Sequence, residues 1–214
     1  MNAFKFKHIM SRDAFPSHQE WKSLKDYEYE LENYLVERDW FYYFLPMALC
    51  KWPGMFLLFE GGFRSIMVPA LTAVRKFGIH TIVFINVSHV GSVNPLVPLP
   101  VMDIDEITYL NRHGVEIGVL GYDNSNLDSS NSEWNHSKFS LIRDFFFRFN
   151  LKEPKSFLIN ENHMSFGLID SVTKAQYEEI FVYGKHSDSL VKGYSTACMD
   201  YYIDGDGEKN NWPW

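Results

Sequence analysis

An apolar run that ends in one carboxylate and two glycines is the first candidate for chemistry. In the stretch FLLFEGGFRS, residues 56–65, Glu60 follows the run directly and is itself followed by Gly61 and Gly62. A carboxylate held at the edge of a core can serve as a general base. Arg64, just beyond the glycines, is a candidate contact for an acidic sugar or a phosphate, and a surface salt bridge is the alternative interpretation.

A second polar group follows the apolar segment SFLIN. Asn160, Glu161 and His163 come at its end, and the carboxylate and imidazole are candidates to act with Glu60 as an acid/base or metal site. The alternative is a polar loop that caps the next helix. Both interpretations stay open at the level of the sequence.

Two further loops carry polar residues of the same kind. Asn86 ends the apolar segment TIVFIN, and His89 follows it in SHVGS. Asp123 and Asn124 lie in YDNSN, after the segment VEIGVL. These side chains are candidates to line one pocket, although an Asx-rich turn and a satisfied loop histidine explain the same residues.

The elements that would position these residues alternate along the chain. Apolar segments predict strands, and segments with helical periodicity separate them. The predicted strands are 55–60, 81–86, 115–120, 156–160 and 180–183, and the predicted helices are 25–39, 65–77, 103–113, 134–149 and 168–178. This order predicts an α/β fold with parallel strands buried on both faces, either an open sheet or a barrel. In both, functional groups collect at the carboxyl ends of the strands.

Composition sets the remaining limits. The chain has 214 residues and a net charge of −7, which predicts one domain, with residues 1–50 as an N-terminal extension packed on it. The acidic balance argues against nucleic acid and anionic membranes as partners. The apolar run 41–59 contains Lys51, Pro46, Pro53 and Gly54. We expect Pro46, Pro53 and Gly54 to break a helix, so the run predicts two core segments joined by a turn at 52–54 rather than a membrane span. Two cysteines are too few for a disulfide framework and predict a cytoplasmic protein.

The segments around Glu60 resemble a known family, the polysaccharide deacetylases. The family places T-F-D-D-G at a strand end, then a helix of the form x-P-A-L-x-x-x-x-K-x-G-I and a strand like A-T-F-F; this chain has LFEGGFRSIMVPALTAVRKFGIHTIVFI at 58–85. The family motif G-H-E-I-G-x-H-T-Y-S-H-P-N-L is similar to GVEIGVLGYDNSNL at 114–127. The resemblance implies a distorted (β/α) barrel.

The resemblance also implies a role for each matched position. The family's catalytic base falls on Glu60, which keeps a carboxylate. The three metal ligands, one Asp and two His, fall on Gly61, Leu120 and Asn124. None of these is a strong ligand for zinc, so we expect the family's zinc to be lost.

Three hypotheses follow. The first is a deacetylase-like pseudoenzyme or repurposed binding protein that takes a carbohydrate, a nucleotide-sugar or a partner enzyme. The resemblance implies that its setting is bacterial surface-polysaccharide biosynthesis. The second is an active amino-sugar deacetylase or acyl hydrolase with a site rebuilt around Glu60, using Asp123, Glu161 or His163. The third is a structural subunit that docks through residues 1–50.

Overall fold

Strands and helices alternate through most of the chain. The structure is a computed structural model. It describes residues 3–6, 8–10, 35–51, 54–92, 99–122, 132–160, 166–183 and 198–199. In these parts of the chain, none of the helices is both long and apolar enough to cross a membrane.

The main element is a parallel sheet whose neighbouring strands mostly follow chain order. Its strands are β1 (Ala3–Phe6), β4 (Phe56–Glu60), β5 (His80–Asn86), β6 (Glu116–Gly121), β7 (Ser156–Asn160), β8 (Glu179–Tyr183) and β9 (Cys198–Met199). The order across the described sheet is β8-β7-β6-β5-β4-β1-β9, and every pairing is parallel. Cα atoms of the two edge strands β8 and β9 also approach within 8 Å. The sheet therefore curls toward closure, which confirms the predicted (β/α) barrel.

Helices cover the outside of this sheet. They are α1 (Arg38–Lys51), α2 (Met67–Phe77), α3 (Ile104–Arg112), α4 (Ser132–Arg148) and α5 (Phe166–Lys174). Asp103 begins α3 with a capping box, in which its carboxylate accepts from the backbone N–H of Glu106 and the Glu106 carboxylate accepts from that of Asp103. Gly78 ends α2 in the left-handed conformation that glycine adopts without strain.

The two faces of the sheet bury different sets of residues. The outer face packs against the helices through side chains such as Leu57, Phe59 and Val83. The inner face carries a smaller apolar cluster of Leu58, Ile82, Phe84, Leu158 and Phe181. Because side chains alternate along a strand, β4, β5, β7 and β8 each contribute to both sets. We call the inner set the luminal cluster, and it fills the middle of the barrel.

Two expectations for the helices were wrong. Helix α1 continues through Pro46 instead of breaking there. Pro46 is exposed while Phe41, Leu45 and Ala48 on the same helix are buried, so packing of the apolar face outweighs the local cost of proline. The helix predicted for 65–77 begins later, at Met67: a short 3-10 turn, Arg64–Ile66, precedes α2, and no side-chain hydrogen bond caps the helix at Ile66.

The N-terminal part of the chain contributes directly to the domain. Strand β1 lies between β4 and β9 in the main sheet, and α1 adds buried residues to the core. Strands β2 (His8–Met10) and β3 (Leu35–Glu37) form a separate parallel pair. The expected extension 1–50 therefore includes a sheet strand and a core helix. Of the acidic segment expected to be helical, residues 25–34 lie outside the described part of the chain, and 35–37 form a strand.

Candidate functional site

Glu60 lies at the carboxyl end of β4, at the upper limit of the luminal cluster. It is 7% exposed, and alternation along the strand puts it on the same face as Leu58. The backbone register pairs it with Phe84 of β5, another member of the luminal cluster. A buried carboxylate at this edge is held by its surroundings in one place, which suits either a base or a fixed hydrogen-bond acceptor.

The neighbouring strands end at the same rim. Asn86 closes β5 opposite Gly121 of β6, at a register shift, and it is half-buried. Asn160 closes β7 opposite Tyr183 of β8. We call this end of the barrel the mouth. It brings together three of the strand-end residues that the sequence pointed to: Glu60, Asn86 and Asn160.

The turn after Glu60 requires glycine at both of its positions. The backbone φ angles are +90° at Gly61 and +65° at Gly62, a region that side chains with a Cβ rarely adopt. The Gly61 N–H donates to the carbonyl of Phe84, which fixes the turn against β5. A Cβ on Gly61 would lie 2.4 Å from Cε2 of Phe63, and Phe63 is buried. The ring of Phe63 therefore occupies the space into which a side chain at position 61 would extend.

Backbone hydrogen bonds connect the loops of the mouth. Met102 donates to the carbonyl of Gly62 over 2.9 Å, and Gly91 donates to the carbonyl of Met102 over 2.9 Å. Ser88 donates to the carbonyl of Tyr122 over 2.7 Å. The segments that follow β5 and β6 are thus joined directly by the bond from Ser88 to Tyr122. The segments that follow β4 and β5 are joined through Met102, just before α3. A rim of this kind positions side chains on a rigid scaffold.

Arg64 is engaged with the start of α3. Its Nε lies 2.8 Å from Oε1 of Glu106, and its Nη2 lies 3.5 Å from Oδ2 of Asp103. The guanidinium therefore contacts both residues of the capping box and joins the glycine turn to α3. This is the salt bridge of the alternative interpretation, and any role of Arg64 with an anionic ligand stays a prediction.

His89 lies in a short 3-10 turn, Val87–His89, directly after β5. It is half-buried, and its carbonyl accepts hydrogen bonds from the hydroxyl and the backbone N–H of Ser92. The structure thus places His89 on the segment that leaves the mouth. The predicted residues Asp123, Asn124, Glu161 and His163 lie outside the described part of the chain.

The described residues at the implied metal positions do not fit a zinc centre. Position 61 has no side chain and no free space for one. Leu120 packs against the luminal cluster and offers no donor atom. Among the residues that the structure describes, no group of three His, Cys, Asp or Glu side chains could hold a metal ion.

A polar cluster at the opposite end of the barrel was missed by sequence reasoning. It consists of the first residues of β5 to β8: His80, Glu116, Ser156 and Glu179. The Glu116 carboxylate contacts His80 Nε2 at 2.9 Å and accepts from the Ser156 hydroxyl, which also lies 3.3 Å from Glu179. The signal was present in the sequence, since each of these apolar strands begins with a polar residue. We call these residues the floor cluster.

The floor cluster has shifted pKa values. The hydrogen bond that His80 donates to the Glu116 carboxylate raises the pKa of His80 above 6.5, against the opposing effect of burial. Burial alone would raise the pKa of Glu116, but its hydrogen bonds with His80 and Ser156 hold the pKa below 4.5. Between pH 4.5 and 6.5, therefore, His80 is mostly protonated and Glu116 is mostly ionised. This charged pair joins the adjacent strands β5 and β6 at the end of the barrel opposite the mouth.

Several solved structures resemble this one along most of their length. A de-N-acetylase from Aggregatibacter actinomycetemcomitans matches with a TM-score of 0.65 and 10% identity, over 92% of this chain and 93% of that one. The Streptococcus pyogenes deacetylase PplD, in complex with acetate, matches with a TM-score of 0.64 and 8% identity, over 86% and 84%. IcaB from Ammonifex degensii matches with a TM-score of 0.59 and 12% identity, over 84% and 82%.

Comparisons of sequence alone give no match. No protein-family model matches the chain, and no curated protein matches it. At identities of 8–12% the structural likeness establishes the fold. The chain therefore has the fold of the polysaccharide deacetylases.

Proposed function

We propose that this protein binds a carbohydrate at the mouth of a deacetylase-type barrel and does not use the metal of that family. The observation that carries the proposal is the turn after Glu60. Gly61 has a φ of +90°, and the buried ring of Phe63 fills the space of any side chain there. The family's metal-ligating Asp cannot be accommodated in this turn without moving Phe63.

The ligand class follows from the scaffold and from the groups at the mouth. The structural neighbours are described as a de-N-acetylase and a deacetylase, and this chain shares their fold. A buried carboxylate and a half-buried carboxamide, Glu60 and Asn86, offer an acceptor and a mixed donor and acceptor. Sugar hydroxyls and acetamido N–H groups pair with such atoms. We therefore propose an N-acetylated amino-sugar chain as the ligand, in the setting of bacterial surface-polysaccharide biosynthesis.

Binding and hydrolysis make different demands on this site. Binding requires donors and acceptors that point toward the ligand, and a fixed rim that holds them. The backbone hydrogen bonds of the mouth supply the fixed rim. Hydrolysis of an amide also requires a cation or donors placed at the developing oxyanion. Position 61 and Leu120 supply neither, so we propose binding rather than deacetylation. A cytoplasmic location is part of the proposal, because an exposed free thiol such as Cys50 is typical of reducing compartments.

The test uses protein purified without chelator and an N-acetylglucosamine tetramer as the probe. We expect the tetramer to bind in calorimetry, and Glu60→Gln to weaken binding by about tenfold, since one charged hydrogen bond is lost. Glu116→Gln is the matched control, because it removes a carboxylate at the opposite end of the same barrel. It should leave the affinity unchanged.

Two further measurements separate binder from hydrolase. Elemental analysis should find no stoichiometric transition metal, and the protein should release no acetate from the tetramer. Stoichiometric zinc together with acetate release that disappears in Glu60→Gln would overturn the proposal in favour of an active deacetylase.

A further inference from the structure

A polar groove lies on the outside of the barrel, between α4 and α5. Its volume is about 670 Å³, within the range of small-molecule sites. Its walls combine apolar and charged side chains with hydroxyl and amide groups, the latter from Ser137 and Ser140 on α4, Ser171 on α5 and Gln176 just after α5. Asn135 is buried beside them, and its amide lies 3.5 Å from the hydroxyl of Ser171. Such groups donate and accept equally well, which suits a neutral polyhydroxyl ligand.

One face of α4 extends this groove to an exposed aromatic ring. His136, Ser140 and Arg143 line the groove at positions that share one face of a helix. Phe147 continues the same face by one more turn. Its side chain is 89% exposed, which is unusual for a phenylalanine. An exposed aromatic ring therefore lies one helical turn beyond Arg143, at the end of the groove.

The cations of the groove are already neutralised. Lys174 Nζ lies 2.6 Å from a carboxylate oxygen of Asp170. Arg143 lies 3.7 Å from Glu153 and donates to the carbonyl of Ala175 over 3.1 Å. An anionic ligand would compete with the carboxylates of Asp170 and Glu153 for these cations, whereas a neutral ligand would leave both contacts intact. The charge pattern favours a neutral occupant.

We infer that this groove is a second saccharide-binding site, separate from the mouth. Sugar hydroxyls hydrogen-bond to Ser140 and donate to the oxygen of Ser171, whose own hydroxyl donates to the carbonyl of Gly167. The apolar face of one sugar ring stacks on Phe147, as amphipathic rings do on aromatic side chains. The choice of an N-acetylated sugar as ligand rests on the proposed function, but the groove itself does not. A chain held here as well as at the mouth gains affinity through two attachment points.

The experiment measures where the N-acetylglucosamine tetramer protects the full chain from hydrogen exchange, by mass spectrometry. We expect protection in peptides covering 135–148 and 167–176, in addition to the mouth peptide 56–64. In Phe147→Ala, the tetramer concentration needed to protect the groove peptides should rise by about tenfold. Ser140→Trp, which fills the groove, should abolish protection of these peptides. Tyr43→Ala is the matched control, because Tyr43 is an exposed aromatic residue on α1. This variant should change neither the protection of the groove peptides nor that of the mouth peptide.

The outcomes separate this inference from the proposed function. Protection confined to the mouth peptide overturns the groove site and leaves the proposed function standing. Protection confined to the groove peptides supports the groove site and overturns the proposed mouth. Unchanged groove protection in both Phe147→Ala and Ser140→Trp also overturns the inference, as does protection of the groove by inorganic phosphate but not by the tetramer.

Discussion

Replacing Gly61 by alanine tests whether position 61 can accept a side chain. Two costs add at this position. A left-handed backbone costs an alanine about 1–2 kcal/mol. The new Cβ would also lie 2.4 Å from Cε2 and 2.9 Å from Cδ2 of Phe63, far inside the contact distance of about 3.5–4.0 Å between carbon atoms. Moving a buried ring to relieve such an overlap costs about 1–3 kcal/mol. We expect Gly61→Ala to lower the free energy of unfolding by about 2–5 kcal/mol.

Gly78→Ala supplies the matched control. Gly78 has a similar left-handed φ of +64°, and a Cβ there would meet nothing within 4 Å. This variant should therefore show the backbone cost alone, about 1–2 kcal/mol. Urea unfolding with linear extrapolation measures both variants on one scale.

A double variant isolates the overlap with Phe63. Phe63→Ala removes both ring carbons, Cε2 and Cδ2, that a Cβ at position 61 would meet, so Gly61→Ala should cost less in a Phe63→Ala background, close to the cost of Gly78→Ala. If Gly61→Ala and Gly78→Ala lower the free energy of unfolding by the same amount in a protein with Phe63 intact, the Phe63 ring moves aside at no cost in stability. Position 61 would then be open to a ligand side chain, and the reasoning behind the proposed function would be refuted.

Three further predictions concern stability. Glu116→Gln should destabilise the protein most between pH 4.5 and 6.5. The raised pKa of His80 adds stability that is lost as pH rises through the folded value, and the lowered pKa of Glu116 adds stability that is lost as pH falls. Because the pair is half-exposed, we expect Glu116→Gln to lower the free energy of unfolding by about 1 kcal/mol. Urea unfolding measured across pH would contradict this if the loss did not peak between pH 4.5 and 6.5. Asp103→Ala should cost about 1 kcal/mol by loss of the α3 cap, and an unchanged urea midpoint would contradict this. Pro46→Ala should raise the free energy of unfolding by up to about 3 kcal/mol and so raise the melting temperature. A lower melting temperature in Pro46→Ala would show that α1 depends on proline.

Much of the fold could be predicted because the strands are buried on both faces. Continuous apolar segments such as SFLIN give an unambiguous signal, and the structure places that strand at Ser156–Asn160 as predicted. Strand β1, by contrast, is only four residues long and carries a lysine, so its place in the sheet depends on pairing with β4 rather than on its own sequence. Helix α1 was missed because local proline chemistry was weighed without the packing of its buried face.

The site could be predicted only as far as strand ends define it. The location of Glu60 at the mouth follows from chain order and parallel pairing. The position of the Phe63 ring does not, because it depends on the exact turn that two consecutive left-handed glycines produce. The groove beside α4 likewise could not be predicted from the sequence, because its shape depends on how α4 and α5 are placed relative to each other.

The most direct test is diffraction from crystals grown with zinc and the N-acetylglucosamine tetramer, measured at the zinc absorption edge. The account predicts sugar density beside Glu60 and no anomalous peak coordinated by protein atoms at the mouth. An anomalous peak held by protein side chains next to Glu60 would contradict it.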